Sequence, residues 1–362
     1  MAYLWEFDEK SKEKIINNEL AQYGKVIGNF STLYSDIYTL KDSSINLYVA
    51  KAPKIDGCQE VEKIHEQLRK FLFEINHIYS VCHSGLIQRF GYIKVIHGVP
   101  LMISKKRDMN LRDAVEEGAL SVVDAITVAF QVVTALEYCL SKGITCHQDL
   151  RPENIFLDKI EGKFNLENKY PFKYFAYLAD LGIANAALIF DRPWGSRPYM
   201  PPEQYKKINY DNELFKKTFS KVDVFALGVN LYEMLTGGTH PLGERTSDIW
   251  PTSGISKKWE SERPWKKWAN EKCKIKYPEK IDNKNLLQLI TDCLESDSKQ
   301  RPDLNLIKSI LSEELKKISR PAFDNLNAYL QMLIEAEKTD IEAGWPYMDN
   351  LMNDLNYAFK DI

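Results

Sequence analysis

No two of the six cysteines (Cys58, Cys82, Cys139, Cys146, Cys273, Cys293) stand at the close-paired spacing that metals use. The opening residues, MAYLWEFDEKSKEK, hold no basic start, apolar core or small-residue cleavage site, so they do not read as a signal peptide. The thiols are therefore expected to be reduced and mostly buried, and the expected location is cytoplasmic. There is no basic excess either: 48 Lys and Arg face 51 Asp and Glu, with a pI near 6.2. That balance argues against wholesale nucleic-acid binding. The longest apolar stretch, Val122 to Leu140, is broken by Asp124, Gln131 and Glu137, which predicts a buried helix and no membrane partner. No internal repeat and no low-complexity segment occurs.

What is present is an ordinary globular composition, 44% hydrophobic and 27% charged, over 362 residues. That length allows two domains or lobes with a large core. Residues 24 to 51 are rich in β-branched and aromatic types. "KVIGNFSTLYSDIYTL" and "SSINLYVAKA", separated by the turn-prone Lys41-Asp42-Ser43-Ser44, predict strand, hairpin, strand. Apolar residues at 61, 64, 68, 71, 72, 75 and 78 then follow a helical period. "FGYIKVI" and "VPLMIS" predict two strands around His97-Gly98. From residue 111 the pattern is mainly helical, with segments at 122–140, 219–236, 284–295 and 304–317 and in the last fifty residues. A small β-rich part precedes a larger helical one.

"CHQDLRPENIFLD", residues 146 to 158, puts an acid, a cation and an amide within six positions. Alone it reads equally well as a polar turn before a strand or as a place where a hydroxyl loses its proton. Phosphoryl transfer needs a cation on the phosphates, fixed by an acid. It also needs a carboxylate and an amide oxygen for metal, and a carboxylate to take the proton of the attacking hydroxyl. The chain carries a candidate for each, in a consistent order.

With those residues in view, the sequence resembles the eukaryotic-type (Hanks-type) protein kinases, serine/threonine branch. "ALEYCLSKGITCHQDLRPENIFLD" is similar to the family's long helix and catalytic loop, with His147-Gln148-Asp149-x-x-x-x-Asn154 for His-Arg-Asp-x-x-x-x-Asn. The resemblance implies Asp149 as catalytic base and Asn154 as metal ligand. Arg151 stands where a phosphate-contacting lysine is usual. "LADLGIA" resembles the Asp-Phe-Gly segment, giving Asp180 as the main metal ligand, and "LYVAKA" resembles the third-strand motif, giving Lys51. "EINHIYSVCHSGLI" selects Glu74, over Glu60, Glu62 and Glu66, as the acid for Lys51. "GSRPYMPPEQY", "KVDVFALGVNLYEMLTG" and "CLESDSKQRPDL" supply Glu203, Asp223 and Arg301, which shape the larger lobe. The resemblance implies an α+β, bilobal protein kinase fold, ATP and Mg²⁺ as cofactors, and a protein substrate phosphorylated on serine or threonine. Either Ile103 or Met102 should back the adenine pocket.

The pattern also departs from the family. Its glycine-rich loop is reduced in "VIGNFSTLY" to Gly28, with Ser31 and Thr32 as further donors. That keeps a pseudokinase scaffold as an alternative. A small-molecule phosphotransferase ranks last, because that class lacks counterparts of "YMPPE" and Arg301. Gln148 replaces the arginine that pairs with a phosphorylated activation loop, and no serine, threonine or tyrosine lies between Asp180 and Ser196. Independence from activation-loop phosphorylation follows as an expectation. "KIEGKFNLENKYPF" reads as an extended hairpin tip.

Four of the seven tryptophans fall within residues 245–280, and residues 252–279 hold eight Lys and Arg against four Glu. The region offers a docking partner a basic surface; the preferred reading is that its tryptophans pack a small helix. The expected organisation is 1–20 N-terminal helical extension, 21–103 kinase N-lobe, 104–320 kinase C-lobe and 321–362 helical C-terminal extension. In the last of these Met348, Leu351, Met352, Leu355 and Phe359 form one apolar stripe. That stripe could pack back onto the larger lobe or make a dimer contact, and packing back is the preferred reading.

Overall fold

The computed structural model describes residues 2–32, 34–55, 60–160, 171–185, 195–205, 221–249, 263–344 and 346–360. Two compact units divide the chain. The first comprises residues 1–83, 88–107 and 338–362, and the second residues 84–87 and 108–337.

The first unit begins with helix α1 (Glu9–Leu20), capped where the Asp8 carboxylate accepts the Ser11 N–H at 3.0 Å. Strands β1 (Lys25–Ser31), β2 (Ser35–Lys41) and β3 (Leu47–Pro53) follow. The sixteen-residue run from Lys25, expected as one strand, is thus two. The Thr32 hydroxyl accepts the Ser35 N–H at 2.9 Å and donates to the Ser35 carbonyl at 3.0 Å, which offers the chain a turn in place of a continued ladder. The Asp42 carboxylate makes the next turn by accepting the N–H groups of Ser44 and Asn46, each at 2.8 Å. Helix α2 (Val61–Ser80) and strands β4 (Tyr92–Ile96) and β5 (Val99–Lys105) complete an antiparallel sheet of order β1-β2-β3-β5-β4.

Register decides which side chains share a face. Ala50 stands opposite Tyr38 and Ile103, and Lys51 opposite Ile37 and Met102. Ala50, Ile103 and Leu101 join Ile16 and Leu20 of α1 in one buried cluster, so α1 covers that face. Helix α2 takes the face of Lys51. Its Ile64, Leu68, Phe71, Ile75 and Ile78 are buried, which stabilises the unit by roughly 1.5–3 kcal/mol per side chain.

In the second unit β6 (Met109–Asn110), β7 (Ile155–Lys159) and β8 (Tyr174–Leu178) form a small sheet. Helices α3 (Leu111–Glu116) and α4 (Val122–Ser141) start at capping boxes, Asn110 with Asp113 and Ser121 with Asp124. Helix α4 is long and apolar enough to cross a bilayer, yet most of it is buried within the unit, packed on β8. Next come α5 (Lys221–Thr236), α6 (Thr246–Ile249), α7 (Arg263–Asn270), α8 (Lys284–Cys293) and α9 (Leu304–Ile318). Helix α9 packs on α4, and α8 on α5. Trp265 and Trp268 of α7 are buried, with ring centroids 5.8 and 5.0 Å from His240 and 6.4 and 5.8 Å from Phe225. These two tryptophans pack a helix. Trp250 and Trp259 lie outside the described residues, as do 161–170 of the expected hairpin tip and 186–194 of the expected activation loop.

Helix α10 (Arg320–Ala343) is followed by α11 (Pro346–Ala358). The expectation that this last stripe packs on the larger part is overturned: residues 338–362 belong to the first unit. Polar groups on α2 explain why, since Asn76 and Tyr79 bond to Asn356 and Asp349 of α11. The five described cysteines are free and buried.

Candidate active site

In the first unit, Lys51 Nζ lies 2.5 Å from Glu74 Oε1, and Glu74 is 6% exposed. Strand alternation points Lys51 at α2, and the helical period that buries Phe71, Ile75 and Ile78 places Glu74 on the same side. Glu66 pairs instead with Lys70, 2.6 Å away on its own helix. The sheet register separates the two candidates for the adenine pocket. Met102 shares Lys51's face, whereas Ile103 is on the other, in the α1 cluster. Ile103 is therefore packing and Met102 the residue on the Lys51 side.

The β1–β2 hairpin has its donors committed. Ser31 Oγ donates to Asp36 Oδ1 at 2.6 Å, and the Thr32 hydroxyl is bonded to Ser35. Register shifts between Val26 and Gly28, and a Cβ added at Gly28 would meet nothing within 4 Å.

In the second unit the catalytic-loop candidates are tightly fixed. Asp149 Oδ1 accepts the Ser196 N–H at 2.9 Å, and Asp149 Oδ2 accepts Asn154 Nδ2 at 3.1 Å. Asn154 Nδ2 also donates to the Asp149 carbonyl at 2.9 Å. Arg151 Nε is 3.4 Å from Asp149 Oδ2. Burial pushes the Arg151 guanidinium down, but Asp149, Glu153 and Asp180 outweigh it and hold the group above its ordinary pKa. Arg151 thus stays cationic among three carboxylates.

Backbone anchors hold the loop beneath. Asp223 accepts the N–H of His147 at 2.7 Å and of Gln148 at 2.9 Å. His147 Nε2 is 2.8 Å from the Ala179 carbonyl, and the Ala179 N–H donates to the Asn154 carbonyl at 2.9 Å, joining the loop to the Asp180 segment. Gln148 and Asp180 have φ of 73° and 62°, left-handed conformations that cost non-glycine residues about 1–3 kcal/mol and gather at functional sites. Asp180 and Asn154 present a carboxylate and an amide oxygen, the hard donors Mg²⁺ prefers. Asn154 uses its nitrogen for Asp149, and its Oδ1 accepts no bond among the described residues. The donor set fits the metal.

A protein kinase domain model matches residues 24–314. The chain belongs to the protein kinase family. It is 26% identical over 291 residues to a serine/threonine-protein kinase stk11 homolog of Dictyostelium discoideum, covering 79% of this chain and 42% of that one. It is 25% identical over 217 residues to an Aurora kinase of the same organism, covering 59% and 50%. It is also 25% identical over 224 residues to CBL-interacting protein kinase 10 of Oryza sativa subsp. japonica, covering 60% and 44%. The matches span half or less of these relatives' lengths.

As a kinase-family chain it keeps the structural pair of the second unit. Arg301 is fully buried and grips Glu203 with both terminal nitrogens, at 2.5 and 2.8 Å, while lying 5.0 Å over the Phe225 ring. Three supports were missed in the sequence. Arg112 is buried against Glu153, Glu233 and Tyr199, at 3.2 Å from each carboxylate. Asn185 Oδ1 accepts the N–H groups of Thr145 and Cys146 at 2.9 and 3.2 Å, just ahead of the catalytic loop. Asp36 takes the Ser31 hydroxyl. For Arg112 a signal existed, since its neighbours Leu111, Ala114 and Val115 put it on a buried helix face.

Proposed function

We propose that the protein is a serine/threonine protein kinase that transfers the γ-phosphate of Mg-ATP to a protein hydroxyl without activation-loop phosphorylation. The observation carrying this reading is the Asp149 carboxylate, held on one oxygen by the Ser196 N–H and on the other by Asn154. A carboxylate so fixed can orient a hydroxyl and take its proton as the oxygen bonds to the γ-phosphorus and the bond to the β–γ bridging oxygen breaks. Lys51, fixed by Glu74, holds the nucleotide phosphates, and Arg151 offsets charge on the transferred group. Asp180 and Asn154 would hold Mg²⁺, which screens the phosphate oxygens when bound. The proposed location is cytoplasmic.

Incorporation of labelled γ-phosphate into the protein itself and into a generic basic protein tests the reading. Asp149→Asn and Lys51→Ala should each lose about 10²-fold or more while the fold remains intact. Label that survives in Asp149→Asn overturns the assigned base. Mapping the labelled residues separates serine/threonine from tyrosine, and phosphatase pretreatment should leave activity unchanged.

A second reading, a pseudokinase scaffold, is favoured by the committed Ser31 and Thr32 hydroxyls and by Asp36, whose negative charge sits on the hairpin that would face phosphate. Wild type that labels no protein, with ATP bound weakly or not at all, would select it.

A further inference from the structure

Helix α11 is covered on one side only. Met348, Met352, Leu355 and Phe359 are buried, whereas Tyr347 and Tyr357 are each 72% exposed. Its described polar partners within the first unit are on α2. The Tyr79 hydroxyl donates to Asp349 Oδ1, and Asn76 Nδ2 donates to Asn356 Oδ1 at 3.3 Å, with a return bond at 3.5 Å. At the preceding turn of chain, Asp340 lies 3.2 Å from Arg89. The Asp349 bond, with burial, pushes the Tyr79 phenol up to about 12, as a hydroxyl donating to a carboxylate requires.

Both contacts on α2 fall within about a turn and a half of Glu74. The sheet-facing stripe of α2, Ile64 to Ile78, packs the helix against β3 and β5. Position along the axis decides whether Glu74 reaches Lys51.

We propose that α11 is an intramolecular strut that fixes α2 and thereby the Glu74–Lys51 pair, with Asp349 and Asn356 as positioning residues for nucleotide. The inference deepens the kinase reading and rests on it for its consequence in activity. It also gives a physical source for activity without a phosphorylated loop. The segment from Asp180 to Ser196 offers no phosphoacceptor before Ser196, and the contacts of α11 with α2 need none.

The test uses the 362-residue chain in two readouts. In Met352→Asp/Leu355→Asp, amide hydrogen exchange in residues 61–80 should rise while strands β2 to β5 keep wild-type protection. KM for ATP should rise about tenfold, with a smaller change in kcat. Asp349→Ala should raise KM about threefold, and Asp349→Asn, which can still accept from Tyr79, should return it to within about twofold of wild type. Exchange that rises in α11 alone overturns the strut, because α2 would then hold itself. Exchange that rises equally through the whole sheet also overturns it, because α11 would then be a general part of the core. If wild type transfers no phosphate, the kinase reading fails by itself, and the exchange pattern still decides whether α11 fixes α2.

Discussion

The catalytic loop of the second unit and the β1–β2 hairpin of the first use their polar groups in opposite ways. Around Asp149 each anchor joins loop backbone to a side chain: the buried Asp223 under His147 and Gln148, the half-buried Asn185 under Thr145 and Cys146, and the buried Asn230 under Leu150 at 3.0 Å. The Asp149 carboxylate and Asn154 are tied into that frame through the Ser196 N–H and through each other. On the hairpin, Ser31 and Thr32 turn their hydroxyls back into the hairpin itself, and no buried scaffold stands behind Gly28. The groups proposed for proton transfer and metal holding are fixed by the frame, whereas the hydroxyls of the hairpin bond within the hairpin itself. Nucleotide affinity should accordingly rest on Lys51, Glu74 and the metal ligands more than on the loop.

The largest expected break of this contrast removes the frame's far corner. Arg301→Ala leaves Glu203 without its bidentate partner and uncovers Phe225. Losing one member of a buried ion pair costs about 3–5 kcal/mol. Thermal or denaturant unfolding should show that loss, and a variant destabilised by less than about 1 kcal/mol would mean the pair does not carry the second unit.

A smaller effect is expected at Gly195. Its φ of 121° is a conformation side chains rarely adopt, and an added Cβ would sit 2.7 Å from the Gln148 carbonyl oxygen. Gly195→Ala should therefore push the neighbouring Ser196 N–H away from Asp149, with strain of about 1–3 kcal/mol. A drop in kcat of about tenfold or more, with KM for ATP unchanged, would place the damage at the base. A variant with wild-type kcat would show that the Ser196 bond does not orient Asp149.

Legibility followed the distance over which the chemistry is written. Asp149, Arg151 and Asn154 sit on one short loop, so an acid, a cation and an amide stood together in the sequence. That loop alone read equally well as a polar turn, and the resemblance gave the residues their roles. Lys51 and Glu74 were joined by the family patterns that "LYVAKA" and "EINHIYSVCHSGLI" resemble. Arg301 and Glu203 are 98 positions apart and only the family resemblance joined them. The break between β1 and β2 was hidden because no glycine, proline, asparagine or aspartate marks Ser31 to Tyr34, and the Thr32 side chain bonded to Ser35 makes the turn. Arg112 had a signal in its apolar neighbours Leu111, Ala114 and Val115, but an arginine at a helix start is usually solvated and the signal was passed over. The stripe on α11 said that a face is covered; the partner depended on Tyr79 and Asn76, which carry no such mark in sequence.

The smallest expected effect sharpens the comparison most. In a phosphate-covering loop, glycine matters because the backbone approaches the ligand closely and a Cβ would intrude. Gly28 shows neither condition in this chain: nothing lies within 4 Å of the added Cβ, and its φ is outside the left-handed region. Gly28→Ala should leave stability within about 0.5 kcal/mol and KM for ATP within about twofold. Measured beside Gly195→Ala, it asks whether the two glycines differ as their surroundings do. A tenfold rise in KM would mean that the hairpin closes on nucleotide after all, with Ser31 and Thr32 released from Asp36 and Ser35 to donate to phosphate. Unchanged KM would leave Lys51 and its helix as the principal hold of the first unit on ATP.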